Sequence, residues 1–245
     1  MQSYKLLPAG DTALVVEFGG GIDQVLSARV LALAESVNAL ALAGIGETVP
    51  TFRSLMIHYD PLVLPMESLA RTVAQLMEDL PVLAQLGRSW RLPACYDASI
   101  APDLAYVAAE CGLSPTQVIE RYSAVTYHVY MLGFLPGQAY MGDLPPELAL
   151  PRRKTPRLQI SPGALAVATK MTCIFPRNTP CGWHLIGRSP VPLWRNAPYP
   201  HALLTPGDKV TFTPVSLREY ESMIARAADD AFAFGCEAWV MGAAA

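Results

Sequence analysis

Between Ile22 and Ala43 the apolar residues Ile22, Val25, Val30, Leu33, Val37, Leu40 and Leu42 recur at helical spacing, which predicts one long helix with a broad apolar face. Gly44 and Gly46 follow as stop signals. Upstream, the turn pair Gly10-Asp11 introduces Thr12–Phe18, a β-branched and apolar run that ends at Gly19-Gly20-Gly21 and reads as a buried strand. Thr48–Tyr59 reads as extended chain, a hairpin bent near Pro50, with Leu55, Ile57 and Tyr59 on one side of its second arm. Met66–Leu80 predicts a second helix and Ser89–Tyr96 a further strand. The order β-α-β-β-α-β is that of a ferredoxin-like α+β domain, expected over residues 1–96.

The pattern changes around Pro93 and Pro102. Asp103–Cys111 and Pro115–Tyr122 read as short helices, the second marked by Ser114 as N-cap, Pro115 in the first helical position and Gln117 to complete a capping box. Beyond them Thr126–Leu132, Leu158–Ile160, Ala164–Ala168, Met171–Phe175, His184–Ile186 and Lys209–Phe212 are short strand candidates separated by Pro and Gly turns. Such spacing predicts a mainly β barrel over residues 97–215, with the two helices leading into it, rather than an alternating βα fold. Residues 216–245 form a third segment. Its first half, Ser216–Asp229, is an amphipathic helix with Leu217, Tyr220, Met223, Ile224 and Ala227 near one face. The remainder, FAFGCEAWVMGAAA, is too apolar for a loose tail and is expected to pack at least partly against this chain or a partner.

With 245 residues, 52% of them hydrophobic and only 16% charged, the chain has enough apolar material for two cores, which excludes general disorder. A formal charge of −3 argues against a coat for nucleic acid phosphates. Cys95, Cys111, Cys173, Cys181 and Cys236 form no CxxC pair and no regular ladder, so free thiols in a reducing compartment are expected. Met1–Pro8 has no basic region followed by an apolar run, and Val30–Gly44 is short and interrupted by Glu35 and Asn38. A cytoplasmic protein with neither a membrane nor a nucleic acid partner is the expectation. There is no GxGxxG unit, Walker P-loop or HExxH helix. No metal and no cofactor bound by this chain are predicted.

Candidate chemistry concentrates between Tyr130 and Arg188. His184 follows Gly182-Trp183 and precedes Gly187-Arg188, so an aromatic wall, a titratable ring and a forked cation lie beside two glycines that permit close approach. Arg152, Arg153, Lys154 and Arg157 concentrate positive charge on a proline-bounded loop, read either as a solvated loop or as an anion-facing rim or a contact between subunits. Lys170 is a general base or anion donor if desolvated, and otherwise an exposed hairpin lysine. Tyr130, Phe134 and Tyr140 line an aromatic pocket if at least two face one opening. Cys173 and Cys181 lack an adjacent ordered histidine and read as structural thiols.

The segments GDTALVVEF at Gly10–Phe18, SLMIHYDP at Ser54–Pro61, VYMLGFLPGQAYMGDLP at Val129–Pro145, PRRKTPR at Pro151–Arg157, SPGALAVA at Ser161–Ala168, CGWHLIGRSP at Cys181–Pro190 and LLTPGDKVTFTP at Leu203–Pro214 together resemble the 5-oxoprolinase B-subunit family, also called allophanate hydrolase subunit 1 or the carboxyltransferase C/D-domain family. The resemblance implies a ferredoxin-like domain followed by a cyclophilin-like β-barrel. It also implies one component of a hydrolase complex that opens 5-oxoproline to glutamate with ATP and Mg, the implied partners being an A-type 5-oxoprolinase chain and a C-type, carboxyltransferase A/B-like chain. The chain alone is expected to be inactive. In the complex, His184, Arg188 and Lys170 are expected as catalytic groups, and Arg152, Arg153, Arg157, Tyr130, Phe134, Tyr140, Gly182, Trp183 and Gly187 as substrate- or partner-binding residues. Two other roles follow from the same family: an accessory module of a urea or amide carboxyltransferase, where biotin would come from another chain, and a kinase-inhibiting binding protein. The chain departs from the family pattern at Cys181, where a glycine is usual, and at Thr169-Lys170, where the pattern has glycine and glutamine.

Overall fold

The computed structural model describes residues 4–80, 87–194, 201–229 and 240–243. The chain divides into two compact units, Met1–Leu86 and Gly87–Ala245.

In the first unit the elements are β1 (Lys5–Pro8), β2 (Ala13–Glu17), α1 (Gln24–Ala39), β3 (Ile45–Pro50), β4 (Ser54–Tyr59) and α2 (Met66–Glu78). Asp23 caps α1 by accepting the Leu26 N–H at 2.9 Å. The helix stops four residues short of the expected Ala43, because Ala41 adopts a left-handed φ of 45° that no helix continues. All pairings in the sheet, ordered β1-β2-β4-β3, are antiparallel. Leu55, Ile57 and Tyr59 are buried as their alternation requires, and they join Val16, Val30, Leu33, Val37, Leu69 and Val73 in one core. Each such side chain contributes roughly 1.5–3 kcal/mol when fully buried.

One expectation for this unit is corrected. The strand expected at Ser89–Tyr96 exists as β5 (Arg88–Cys95), but it belongs to the sheet of the second unit, and the place beside β2 is filled by β1. Periodicity carries no partner information: a mostly buried strand such as β5 suits either sheet, and a four-residue edge strand such as β1 shows no alternation.

The second unit continues with α3 (Leu104–Glu110), α4 (Pro115–Ser123), β6 (Tyr127–Leu132), β7 (Ala139–Gly142), β8 (Arg157–Ile160), β9 (Ala164–Ala168), β10 (Met171–Ile174), β11 (Thr179–Cys181), β12 (His184–Arg188), β13 (Lys209–Val215), α5 (Leu217–Asp229) and β14 (Val240–Ala243). Its main sheet runs β12-β9-β10-β7-β6-β13-β5, and the pairing of Arg188 with Cys95 joins β12 back to β5 and closes a barrel. Closure removes the free edges that an open sheet leaves for aggregation. β14 pairs with β5 through Val240 and Trp90, so part of the apolar C-terminal segment does pack on this chain, while residues 232–239 of that segment lie outside the described residues. β8 and β11 form a separate two-stranded ribbon. Because β9 and β10 are buried on both faces, neither shows the alternation that would have told inside from outside. α3 and α4 contribute Leu104, Val107, Val118 and Tyr122 to the barrel core, and the capping box of Ser114 and Gln117 forms as expected. Among the described residues no helix is long and apolar enough to cross a membrane.

Pro93, read as a boundary marker, sits inside β5 opposite Thr213. The parallel pairing of β5 with β13 needs a long-range pin, and Asp208 supplies it. Its fully buried carboxylate accepts the Arg88 N–H at 2.7 Å, the Trp90 indole N–H at 2.8 Å and the Thr205 N–H at 3.0 Å, and pairs with the Arg88 guanidinium at 3.2 Å. Asp208→Ala strands the buried Trp90 donor and is expected to cost about 3 kcal/mol, read from urea unfolding, with Asp208→Asn less damaging.

Candidate functional site

The loop from Leu150 to Arg157 is fixed at four points within the second unit. Thr169 N–H donates to the Leu150 carbonyl, His184 Nε2 lies 2.9 Å from the Pro151 carbonyl oxygen, Arg153 N–H donates to the Gly182 carbonyl at 2.8 Å, and Arg157 enters β8. Since a carbonyl only accepts, Nε2 carries a proton in this contact. Nδ1 is buried and has no hydrogen-bond partner among the described residues.

Asp103, immediately before α3, organises the inner side of the loop. Arg157 binds it through two bonds, Nη1 to Oδ2 at 2.8 Å and Nη2 to Oδ1 at 2.7 Å; Arg153 Nη1 reaches Oδ1 at 2.9 Å, and Leu185 N–H reaches Oδ2 at 2.7 Å. The residue is 4% exposed. Burial by itself would raise its pKa, but the hydrogen bonds from Arg157 and Leu185 and the charges of Arg157 and Arg153 outweigh it and hold the carboxyl below its usual value. Sequence reading missed Asp103. An aspartate before a helix signals an N-cap, yet its side chain makes no cap bond and is spent entirely on distant partners.

On the outer side of the loop lies a cavity of about 480 Å³ lined by Tyr106, Glu110, Arg152, Arg153, Lys154 and His184, among others. The Tyr106 ring stacks on His184 with centroids 5.3 Å apart and planes 20° from parallel. Arg152 is exposed and rides over the Trp183 ring at 5.8 Å. Arg152 and Lys154 make no ion pair among the described residues, whereas Arg153 and Arg157 are both taken by Asp103. Half of the expected cationic rim is thus a structural clamp, and half is free charge.

The residues expected to act with His184 are not gathered beside it. Arg188 lies at the other end of β12, about 13 Å further along at the usual strand rise, donates to the Pro162 carbonyl at 2.7 Å and faces the Tyr220 ring. Lys170 is exposed at the tip of the β9–β10 hairpin, beside Thr169 with its φ of 54°. Gly187 is a packing glycine: a Cβ there would meet the Cys95 carbonyl oxygen at 2.8 Å and the Tyr96 ring at 2.9 Å, so it serves the contact with β5 and not the approach of a ligand. At Gly182 a side chain would meet only Pro156, at 3.8 Å. The three aromatics occupy different surroundings: Tyr130 is buried against His128 and Asp143, Tyr140 meets Trp183 edge-on, and Phe134 is 67% exposed with a φ of 68°. Burial raises the pKa of the Cys173 and Cys181 thiols, as expected of structural cysteines; Cys95, Cys111, Cys173 and Cys181 are free, and Cys236 lies outside the described residues. Among the described residues no group of His, Cys, Asp and Glu is arranged to hold a metal.

Residues 4–204 match the family described as carboxyltransferase domain, subdomain C and D. The chain belongs to that family. It is 34% identical over 233 residues to the B subunit of 5-oxoprolinase from Bacillus subtilis (strain 168), covering 89% of this chain and 96% of that protein. To the B subunit of 5-oxoprolinase from Escherichia coli O157:H7 it is 35% identical over 215 residues, covering 87% of this chain and 97% of that protein. Among solved structures, the crystal structure of TTHA0988 superposes with a TM-score of 0.75 at 34% identity, covering 83% of this chain; this chain spans 40% of that one.

A depressed folded-state pKa has a definite pH signature. The Asp103 pairing stabilises the fold above the unfolded carboxylate's pKa of about 3.9 and is lost as pH falls through the lower folded value. Asp103→Asn is therefore expected to lose about 2 kcal/mol at neutral pH, with the gap in urea midpoint closing as the solution is acidified below about pH 4. A gap that persisted unchanged into strong acid would contradict it.

Proposed function

We propose that this chain is the B subunit of an ATP-dependent 5-oxoprolinase, the complex that opens the lactam of 5-oxoproline to glutamate. The observation that carries the reading is near end-to-end similarity to two proteins of that name, at 34% and 35% identity and with 96% and 97% of their lengths covered. In this reading the first unit is a ferredoxin-like domain in which β1 stands in the place of the final strand, and the second is a cyclophilin-like barrel.

Opening a lactam means adding water to an amide carbonyl, breaking its C–N bond and placing a proton on the departing nitrogen. Such a carbonyl must be activated, and ATP supplies that activation in the complex. The chain carries no P-loop sequence. Its task is therefore assigned to the organic substrate: Arg152 and Lys154 offer charge for a carboxylate, while His184 and Tyr106 form the wall against which a small ring is held. Partner chains of the A and C types complete the site.

The test is co-expression with A-type and C-type 5-oxoprolinase chains, co-purification, and assay for glutamate release from 5-oxoproline. Glutamate formation that requires ATP, this chain and both partners is the expected result. No complex, or an assembled complex that carboxylates an amide instead, defeats the proposal.

A further inference from the structure

The sheet of the first unit ends in a hollow of about 510 Å³ that the proposed activity does not use, lined among others by Thr12, Ile45, Gly46, His58, Tyr59 and Pro61. Beside it the turn after β4 carries Leu62, 94% exposed, and Val63, 57% exposed. That turn is held in place. The Asp60 N–H donates to the Gly44 carbonyl at 2.8 Å, the Asp60 carboxylate accepts the Leu62 N–H at 2.9 Å, and the Asp60 carbonyl accepts the Val63 and Leu64 N–H groups at 3.1 and 2.9 Å. A Cβ on Gly44 would meet Leu64 Cβ at 2.8 Å, so the turn lies directly against the start of β3. Two adjacent exposed apolar side chains on a fixed support, bordering an open hole, make a contiguous patch of the kind that marks an interaction surface. The pairing of β3 with β4 slips register between Ile45 and Thr48, and β3 is an edge strand among the described residues. Such a bulge guards an edge against strand addition, so recognition at this end falls to side chains.

Charge selects what fits. The first unit carries nine acidic side chains against four basic ones, whereas the second carries more bases than acids. Lys5 and Arg53 pair with Glu17, at the opposite end of β2 from Thr12, Arg29 lies over the Phe18 ring, and Arg71 donates to Ser68. Asp60 lines the hollow, and Asp11 and Glu47 are the exposed neighbours in sequence of the lining residues Thr12 and Gly46; none of the three forms an ion pair among the described residues. We infer that this end of the first unit is the docking surface for a partner polypeptide that inserts an arginine or lysine flanked by apolar side chains. The stem of that residue packs on Ile45, Tyr59 and Pro61, its head meets the carboxylates of Asp11, Glu47 and Asp60, and the flanking apolar group covers Leu62. A long basic side chain suits both halves of the surface, since its methylene stem is apolar and its tip is cationic. A small free cation would leave Leu62 uncovered, and an anion is repelled. Nothing in this surface depends on the oxoprolinase reading.

The experiment is a nuclear magnetic resonance titration of the intact chain with a blocked leucyl-arginyl-leucine tripeptide, its counterpart with neutral citrulline in place of arginine, and acetyl-arginine amide. It is repeated with the double variant Asp11→Lys/Glu47→Lys and with Leu62→Ser, exposed positions outside the core, Asp60 being kept because it holds the turn; circular dichroism serves as the check on folding. The arginine tripeptide is expected to shift the resonances of Gly46 and His58 and to bind less tightly as salt is raised. The citrulline peptide, and the arginine tripeptide on the double variant, are each expected to bind about tenfold more weakly, and acetyl-arginine amide and the Leu62→Ser variant about threefold more weakly. Equal binding of the citrulline peptide, or equal binding by the double variant, removes the charge complementarity and overturns the proposal. Acetyl-arginine amide binding as tightly as the tripeptide, or undiminished binding by Leu62→Ser, leaves a small-cation site and overturns the partner class. Shifts confined to the second unit, or no binding, overturn the site. Self-association of the unliganded chain, measured by sedimentation and lost in Leu62→Ser, gives the surface to a second copy and overturns the proposal as well.

Discussion

The carboxylate of Asp103 is the constraint on which the geometry of the site depends. Taking a charge out of water costs several kcal/mol unless it is matched closely, and here the matching is complete: both oxygens accept two hydrogen bonds, three from guanidinium groups and one from a backbone N–H. Three segments far apart in the chain meet at this point, the start of α3, the start of β12 and the two ends of the 153–157 loop. The Asp103 N–H also donates to the Leu185 carbonyl at 3.0 Å, so helix and strand are joined through backbone as well as side chain. The orientation of the loop is therefore set where its own Arg153 and Arg157 meet Asp103 on the barrel.

Fixing the loop sorts its cations. The two that reach inward to Asp103 are 24% and 28% exposed at their side chains and share its one negative charge, while Arg152 and Lys154 stay in solvent beside the cavity. A mobile loop would present four averaged charges to any anion. The anchored one turns Arg152 and Lys154 outward, with the Trp183 ring beneath Arg152. Preorganisation of this kind reduces the ordering cost that binding otherwise incurs.

Local signals predicted local structure well. The capping box at Ser114, the amphipathic helices and the Leu55-Ile57-Tyr59 face were all readable, because each depends on residues within a few positions of one another. What failed was long-range. The strand Arg88–Cys95 was legible as a strand but not as a partner of β13, over a hundred residues on, and the pin that makes it one, Asp208, sits in an unremarkable turn. The same limit governed the site. The run from Arg152 to Arg157 announced positive charge, but nothing in its spacing distinguished the arginines bound to Asp103 from the cations left free. His184 and Arg188 looked adjacent in sequence, yet the strand that carries them places them at opposite ends.

This sorting also decides which departures from the family pattern bear on the ligand. Thr169-Lys170 forms an exposed hairpin tip, where a β-branched residue takes a left-handed φ that glycine adopts without strain; the cost is local, and Lys170 stays outside the cavity. Cys181 is different. Its buried sulfur accepts the Trp183 N–H at 3.3 Å, a bond that a glycine in its place could not offer, and Trp183 is the ring on which Arg152 rests. The chain from Cys181 through Trp183 to Arg152 ends at the cavity. Replacing the pattern's glycine with cysteine therefore stiffens the platform of one free cation without adding a reactive group, since burial keeps the thiol protonated. The cysteine at this position acts on the Trp183–Arg152 contact and leaves the Asp103 clamp untouched.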